Sequence, residues 1–582
     1  MQLNKFAQET LRDRYMAPQD VTLTDIFTRS ITAYCTGEHK ERMLRYVYNQ
    51  WFVGSTPVLA NADTGRGNPI ACFLSSVHDS RRGILGHYTE TGWLASNGGG
   101  VGSYWGKLRT VGSATSKGSR SNGMLPFQSV INRLVTAFAQ GSSRRASYAS
   151  FLPVWHPEIV EFIEMRKPTG GDLDRKNLNL HHGVVINQEF RDAVSTDQDF
   201  HLYDPHTKEI KETIKARRLW ELILETRSFT GEPYIIDESN MMAQRPQILK
   251  DLNVPVYTSN LCTEITVATE LPNGEPATGV CCLGSLNIEK WDDIRAFGIQ
   301  QFITDCLLYL WLVLDSFVTS GLEGAESARK NAEFYRDVGL GALGFHSYLQ
   351  QKNIPFASAM AVSANKRIFK AIAEAAAVAN KELVPVVGPS GASRAAYPEN
   401  PEKWVAFTHM LAIAPNASTS IFADASPGIE PYTANGFIRK SASGTFVEKN
   451  KYLQALLQSL GRDTESEWTS IIINAGSVQH LEYLTDYQKE VFKTAYELDQ
   501  RWIVQHAADR QPNICQAQSV NLYFPPGTAR SVYSRVHREA FDKGLKSLYY
   551  SKGLSSHKAT TGTKVHAIVQ DVSTDECLAC AN

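Results

Sequence analysis

The segment Ser259-Asn260-Leu261-Cys262-Thr263-Glu264-Ile265 sets an amide, a thiol and a carboxylate at alternate positions. In extended backbone that spacing puts Asn260, Cys262 and Glu264 on one face. Burying an amide and a carboxylate beside a thiol is costly unless the grouping has a use, so the set points to chemistry at sulfur. Two other segments carry internal thiols: Asn68-Pro-Ile-Ala-Cys72-Phe-Leu and Val280-Cys281-Cys282-Leu283-Gly284-Ser285-Leu286-Asn287. Each of these cysteines, taken alone, also reads as a small buried hydrophobe. Near the C-terminus stands Cys577-Leu-Ala-Cys580. Two thiols at this spacing close a small disulfide ring or fill half of a zinc site. Zinc would need two further ligands at similar spacing, and no second C-x-x-C or H-x-H accompanies them. A dithiol on a flexible arm suits the transport of reducing equivalents by thiol–disulfide exchange.

Other patterns have two readings each. Pro415-Asn416-Ala417-Ser418-Thr419 follows the apolar run Met410–Ala414 and precedes a helix, so its N–H groups and hydroxyls form either a phosphate cradle or an ordinary cap. Tyr549-Tyr550 on its own reads as packing. Gly339-Leu-Gly341-Ala-Leu-Gly344 satisfies G-x-G-x-x-G, but FHSYLQQKNIPF and an alanine-rich helix come next, with no strand ending in an acidic residue. The expectation there is tight strand-to-helix packing and no dinucleotide site.

These residues must be positioned by a large scaffold. The chain has 582 residues, 43% of them hydrophobic, and a net charge of −1. It can bury a substantial core, and its charge balance points to neither nucleic acid nor membrane as the main partner. The N-terminus lacks an apolar signal core, and the run Leu307–Leu314, closed off by Asp305 and Asp315, predicts a buried helix too short to span a bilayer. A soluble cytoplasmic protein is expected, and its sparse cysteines do not form a secreted disulfide framework. Residues 1–50 are helical in period, through Phe6, Leu11, Tyr15, Ile26, Ile31, Met43, Tyr46 and Val47. Beyond them, apolar runs alternate with helical stretches, as in Gly183–Ile186 followed by Gln188–Val194, which predicts an α/β fold with a buried parallel sheet. Ser363–Leu383 reads as a helix. From about Ser551 the chain turns polar and small and predicts a flexible tail. The expected organisation is a helical region 1–50, a catalytic barrel 51–550 and a redox tail 551–582.

Taken in order, STPVLANA, NPIACFL, GGGVGSYWGKLR, SNLCTEI, VCCLGSLN, APNASTSIF and LKSLYY resemble the motifs of ribonucleotide reductase large subunits, over nearly the whole chain. The resemblance implies a ten-stranded α/β barrel with a central finger loop carrying Cys262. It implies that Cys262 becomes a thiyl radical, that Glu264 acts as general base and that Asn260 holds the ribose hydroxyls. Cys72 and Cys281 become the reducing pair, with Cys282 at a variable position, and Cys577 and Cys580 re-reduce them with thioredoxin or glutaredoxin as final donor. Tyr549 and Tyr550 match the class I relay, which takes its radical from a separate metal-containing small subunit, so this chain itself is expected to hold no metal or cofactor. Substrate contacts fall on Thr56, Ala71 (through backbone), Asn416, Ala417, Ser418 and Thr419. A (d)NTP specificity effector falls on Asp79, Ser80, Arg81, Arg109, Lys117 and Arg144, and an effector-induced homodimer is the candidate assembly. FAQETLRDRY resembles the start of the catalytic core, so no ATP-cone and no dATP activity switch are expected. Two alternatives stay open on sequence: an adenosylcobalamin-dependent reductase, and a non-catalytic redox or zinc protein on the same fold.

Overall fold

The computed structural model describes residues 3–138, 146–170, 172, 175–441, 444–553 and 569–571. Arg144, Cys577 and Cys580 lie outside them.

Three helices open the chain, at Lys5–Arg14, Leu23–Thr32 and Gly37–Tyr48. The first begins where the Asn4 side chain accepts the Ala7 N–H at 2.7 Å. The second begins with a Thr22–Asp25 capping box, which satisfies N–H groups that a helix start leaves bare. The eight apolar positions that set their period, from Phe6 to Val47, are all buried. Each such side chain contributes about 1.5–3 kcal/mol on burial. The third helix also docks by charge. Asp305 accepts from Tyr46 Oη and Arg42 Nε, both at 2.7 Å.

Asp305 lies on the helix Ile299–Thr319, 21 residues long and, among the described residues, the one helix apolar and long enough to cross a membrane. It outruns the short apolar run expected there, yet 61% of its most apolar window is buried in the protein. The alanine-rich helix Ala359–Glu382 packs along it.

Two sheets carry the Cys72 and Cys281 segments. A seven-stranded sheet runs in the order Ser547–Leu548, Tyr234–Asp237, His181–Ile186, Ser147–Pro153, Gly100–Tyr104, Cys72–Ser76 and Gly279–Val280. Its five inner strands are mutually parallel, and the two edge strands run antiparallel to them. A three-stranded sheet joins Phe52–Gly54, Cys282–Asn287 and Val338–Leu343. Parallel bridges continue outward from it, Leu340 to Leu411 and Ile413 to Gln518. The expected ten-stranded barrel is therefore drawn as two curled ladders, not one. The chain passes from one ladder to the other between Val280 and Cys282, so Cys281 stands on the seam.

The glycine motif resolves as packing. Val338–Leu343 is a strand, Gly344 turns the chain at φ +80°, and a helix begins at Phe345. A side chain at Gly339 would strike Leu283, and one at Gly341 would strike the Ala412 carbonyl.

Candidate active site

Cys262 is 6% exposed, and Asn260 and Glu264 are 1% exposed. The extended face expected for these three is not formed. Thr263 takes φ +66°, and its N–H donates to the Asn260 carbonyl at 3.3 Å. The segment is a tight turn because it is threaded between strands and must find its backbone partners outside any ladder. Those partners come from residues 516–519. Ala517 N–H donates to the Glu264 carbonyl at 2.8 Å. Ser519 Oγ lies 2.6 Å from the Cys262 carbonyl and 3.1 Å from Glu264 Oε2. Asn260 Oδ1 accepts the Ile265 N–H at 3.1 Å, which ties the turn to itself. On the opposite side a methyl at Gly102 would run into the Ser259 carbonyl and the Asn260 backbone. Gly102, the last glycine of GGGVG, thus has a steric reason: strand Gly100–Tyr104 must let the loop lie directly on it.

Cys72 starts the strand Cys72–Ser76. The antiparallel register pairs Leu74 with Gly279 and Phe73 with Val280. One more step sets Cys72 opposite Cys281, where Cys281 N–H donates to the Cys72 carbonyl at 3.4 Å. Directly opposed residues have Cα atoms roughly 4.5–5.5 Å apart, inside the span of about 4.4–6.8 Å that a disulfide bridges. Cys282, next in sequence, packs instead into the main hydrophobic core, whereas Cys281 shares a small cluster with Cys72, Leu74 and Ile265. Burial pushes the Cys281 thiol well above the usual thiol range, against a weaker downward pull from Gln516. Gln516 Nε2 lies 3.7 Å from Cys281 Sγ. One stretch, 516–519, therefore touches both the reducing-pair candidate and the Cys262 turn.

A small cleft opens beside the pair. Its lining includes Ala71, Cys72, Cys281, Cys282, Asn416 and Thr419. Asn416 holds φ +56°, and its Nδ2 donates to Ser285 Oγ at 2.8 Å and to Thr419 Oγ1 at 3.1 Å. Thr56 is turned elsewhere. Its hydroxyl meets Tyr15 Oη at 2.9 Å, and its neighbours Ser55 and Pro57 line the cleft in its place. Ala417 and Ser418 complete the turn into the helix Thr419–Ala423.

Tyr549 and Tyr550 come directly after the edge strand Ser547–Leu548. Their ring centroids are 4.3 Å apart. Tyr549 is buried and belongs to the same apolar cluster as Cys262, while Tyr550 is half-buried. Tyr549 N–H donates to the Val520 carbonyl at 2.8 Å, one residue beyond Ser519. The pair and the thiol turn are thus held by adjacent residues of one segment.

The effector candidates lie farther out. Asp79 Oδ2 accepts from Arg109 Nε at 2.8 Å, and Arg109 also reaches the Ala114 carbonyl at 2.6 Å. Ser80 accepts the Gly83 N–H at 2.9 Å and so caps the helix Arg81–Ser96. Arg81 and Lys117 are exposed, Lys117 on the turn between the bridged residues Ala114 and Arg120.

Sequence reasoning missed Ser519, Gln516 and Ser285. The run Gln516-Ala-Gln518-Ser519 offered a signal, as polar residues set between Ile514 and Val520-Asn-Leu522, but Cys281, Cys262 and Glu264, which it touches, are more than 200 residues away.

Comparison with known proteins agrees with this geometry. The family described as ribonucleotide reductase, barrel domain, matches residues 70–404 and 399–551. The chain is 40% identical over 550 residues to a putative ribonucleoside-diphosphate reductase large subunit of Frog virus 3, covering 93% of this chain and 92% of that protein. It is 36% identical to the ribonucleoside-diphosphate reductase large subunit of Invertebrate iridescent virus 3, covering 96% and 94%. The solved structure of the Actinobacillus ureae class Id ribonucleotide reductase alpha subunit superposes with a TM-score of 0.82 at 30% identity, covering 95% of this chain and 97% of that one. With the barrel family matched over residues 70–551, two relatives aligned along nearly their full lengths and a class Id alpha subunit superposed over 95% of the chain, the chain belongs to the ribonucleotide reductases as a class I large subunit, a ribonucleoside-diphosphate reductase.

Proposed function

We propose that the reaction runs at Cys262 and is closed by Cys72 and Cys281. A thiyl radical on Cys262 takes the ribose 3′ hydrogen, while Glu264 takes the proton of the 3′ hydroxyl and Asn260 holds the hydroxyls in place. The 2′ hydroxyl leaves as water, Cys72 and Cys281 together supply two protons and two electrons and end as a disulfide, and Glu264 and Cys262 return to the 3′ position the proton and the hydrogen atom they took, which restores the thiyl radical. A high Cys281 pKa suits this role, because the thiol keeps its proton until the leaving group needs it. Cys577 and Cys580 then exchange with that disulfide and pass their oxidation to thioredoxin or glutaredoxin.

The observation that carries the reading is the 516–519 segment. It contacts Cys281 through Gln516 and both Cys262 and Glu264 through Ser519. Chemistry that must oxidise two thiols in step with a third needs them on one rigid support.

As a class I large subunit, the chain relies on a separate small subunit for its radical. In this reading the small subunit carries the metal, docks near Tyr550 and feeds Tyr549 and then Cys262. The diphosphate sits on Asn416, Ala417, Ser418 and Thr419, with Ala71 and Thr56 flanking the sugar through backbone. Asp79, Ser80, Arg81, Arg109 and Lys117, joined by Arg144, take a (d)NTP effector. Exposed Leu85, Val130 and Phe138 on the neighbouring helices supply an apolar face for an effector-induced homodimer. The two ladders and their outward bridges together make the ten-stranded barrel, with residues 1–50 packed outside, residues 551–582 as the redox arm, and the cytoplasm as the site of action.

The test is turnover with a radical-loaded small subunit, effector and thioredoxin, comparing CDP with CTP. Turnover of CDP, and its loss in Cys262→Ser with effector binding retained, is expected. Full turnover in Cys262→Ser would refute the reading.

A further inference from the structure

Beside the tyrosine pair lies a buried charged group that the mechanism above does not use. Glu232 is 2% exposed. Its Oε1 lies 2.5 Å from Arg166 Nη1 and 2.6 Å from His181 Nδ1. Its Oε2 accepts the His182 N–H at 3.1 Å and lies 3.2 Å from His182 Nδ1. His181 faces the relay. Its Nδ1 is 3.5 Å from Tyr550 Oη, and its ring meets the Tyr550 ring edge-on, at 6.4 Å and 82°. The same imidazole stacks on Tyr234 at 6.2 Å and 15°. Tyr234 in turn touches both relay rings, 4.8 Å from Tyr549 and 5.1 Å from Tyr550.

The topology explains how these residues meet. His181 begins one inner strand, and Tyr234 begins the next, registered two residues on, at Gly183. Ser547–Leu548 lies along the far side of the Tyr234 strand and delivers Tyr549 and Tyr550 to its start. Glu232 stands two residues before Tyr234. A buried carboxylate is costly even when paired, and here one of its partners, His181, reaches the outer member of the pair.

We propose that His181, held by Glu232 and Arg166, is a positioning residue for the radical relay: it fixes Tyr550 against Tyr549 and sets the polar environment of the oxygen that gives up its hydrogen. The inference rests on the relay reading of Tyr549 and Tyr550. The step it serves is a hydrogen-atom transfer. The small subunit's radical takes one electron and one proton from the Tyr550 O–H. The Tyr550 phenoxyl then takes one of each from Tyr549, and Tyr549 from the Cys262 S–H. At each transfer one bond to hydrogen breaks and one forms, and His181 ends with the protons it began with. A hydrogen atom moves only between well-placed partners, so a small displacement of Tyr550 slows the relay without touching the substrate site.

The test places 3-aminotyrosine at position 550 of the full chain, in complex with the radical-loaded small subunit, CDP and effector, and records the trapped radical by EPR. In His181→Phe the g-values of the radical at 550 are expected to shift. In the chain with its natural Tyr550, the same substitution is expected to lower kcat about tenfold or more with the KM for CDP unmoved. His181→Asn, which keeps a polar donor, recovers part of both. Glu232→Gln should give the same shift, and if that variant does not fold, the two His181 variants carry the test. An unshifted spectrum with kcat within about twofold in His181→Phe would overturn the inference and leave the relay standing. No radical at position 550 in the parent chain would overturn the relay reading, and this inference with it.

Discussion

The Cys262 turn and the Asp79–Arg109 region are built on opposite principles. The turn is held by backbone: the Ala517 N–H, the Cys262 carbonyl under Ser519, and the bare Cα of Gly102 beneath it. The Asp79–Arg109 region, where the effector is proposed to bind, is held by side chains, a half-buried ion pair and an arginine on a loop carbonyl. Buried hydrogen bonds to the backbone of a turn leave few alternative arrangements, whereas an ion pair between long side chains can open for a phosphate and close again. Radical chemistry needs the first kind of support, since reacting atoms must stay in place, and a specificity switch needs the second.

The comparison breaks most sharply at Gly102. Gly102→Ala drives a methyl into the Ser259 carbonyl, so the loop must lift. The expected result is a loss of turnover of about a hundredfold or more, measured as kcat with CDP, while effector binding stays near that of the parent chain. Ser519→Ala is the next largest. It strips the Cys262 carbonyl and Glu264 of a shared buried donor, worth about 1–3 kcal/mol. Steady-state kinetics should show kcat/KM down roughly tenfold or more, with thermal unfolding lowered modestly.

Arg109→Ala probes the other region. Removing one partner of a half-buried pair that is proposed to meet the effector phosphate should weaken effector binding by about 1–2 kcal/mol, read by calorimetry. That loss should shrink at high salt, whereas the Gly102 and Ser519 effects should not.

The smallest effect concerns pH. Burial holds the Cys281 thiol well above the usual thiol range. The folded chain therefore keeps this proton where the unfolded chain loses it. The stabilising contribution is complete below the unfolded thiol's value of about 8.5 and is lost as pH rises through the folded value. Alkylation of Cys281 by iodoacetamide should accordingly lag that of an exposed thiol through neutral pH. Rapid labelling at pH 7 would contradict the buried, protonated state.

Much of the fold was legible in the sequence, and the reasons are local. The amphipathic period of residues 1–50, the strand-then-helix pattern at 183–194 and the alanine-rich helix are set by neighbours within a few residues, and they fold as read. The glycine motif at 339–344 was also legible as packing, because the residues after it supply no strand ending in the acidic side chain that a dinucleotide site requires. The turn at Thr263 was not. Alternation suggested extended backbone, but a loop threaded between strands takes its geometry from residues 516–519, far along the chain. Thr56 shows the same limit, since its hydroxyl is claimed by Tyr15 from the end of the first helix. The cluster on Glu232 could not be read either: Arg166, His181, Glu232 and Tyr550 have no common period, and only the strand order brings them together.

The central claim is that Cys72 and Cys281 are oxidised together in one turnover at Cys262. The most direct measurement uses the Cys577→Ser/Cys580→Ser chain, which cannot re-reduce the pair. It is loaded with small subunit, effector and CDP without external dithiol, and its disulfides are mapped by mass spectrometry. One deoxynucleotide per chain with a Cys72–Cys281 bridge is the predicted outcome. Product formed with both thiols still free, or with the bridge drawn to Cys282, would contradict the account.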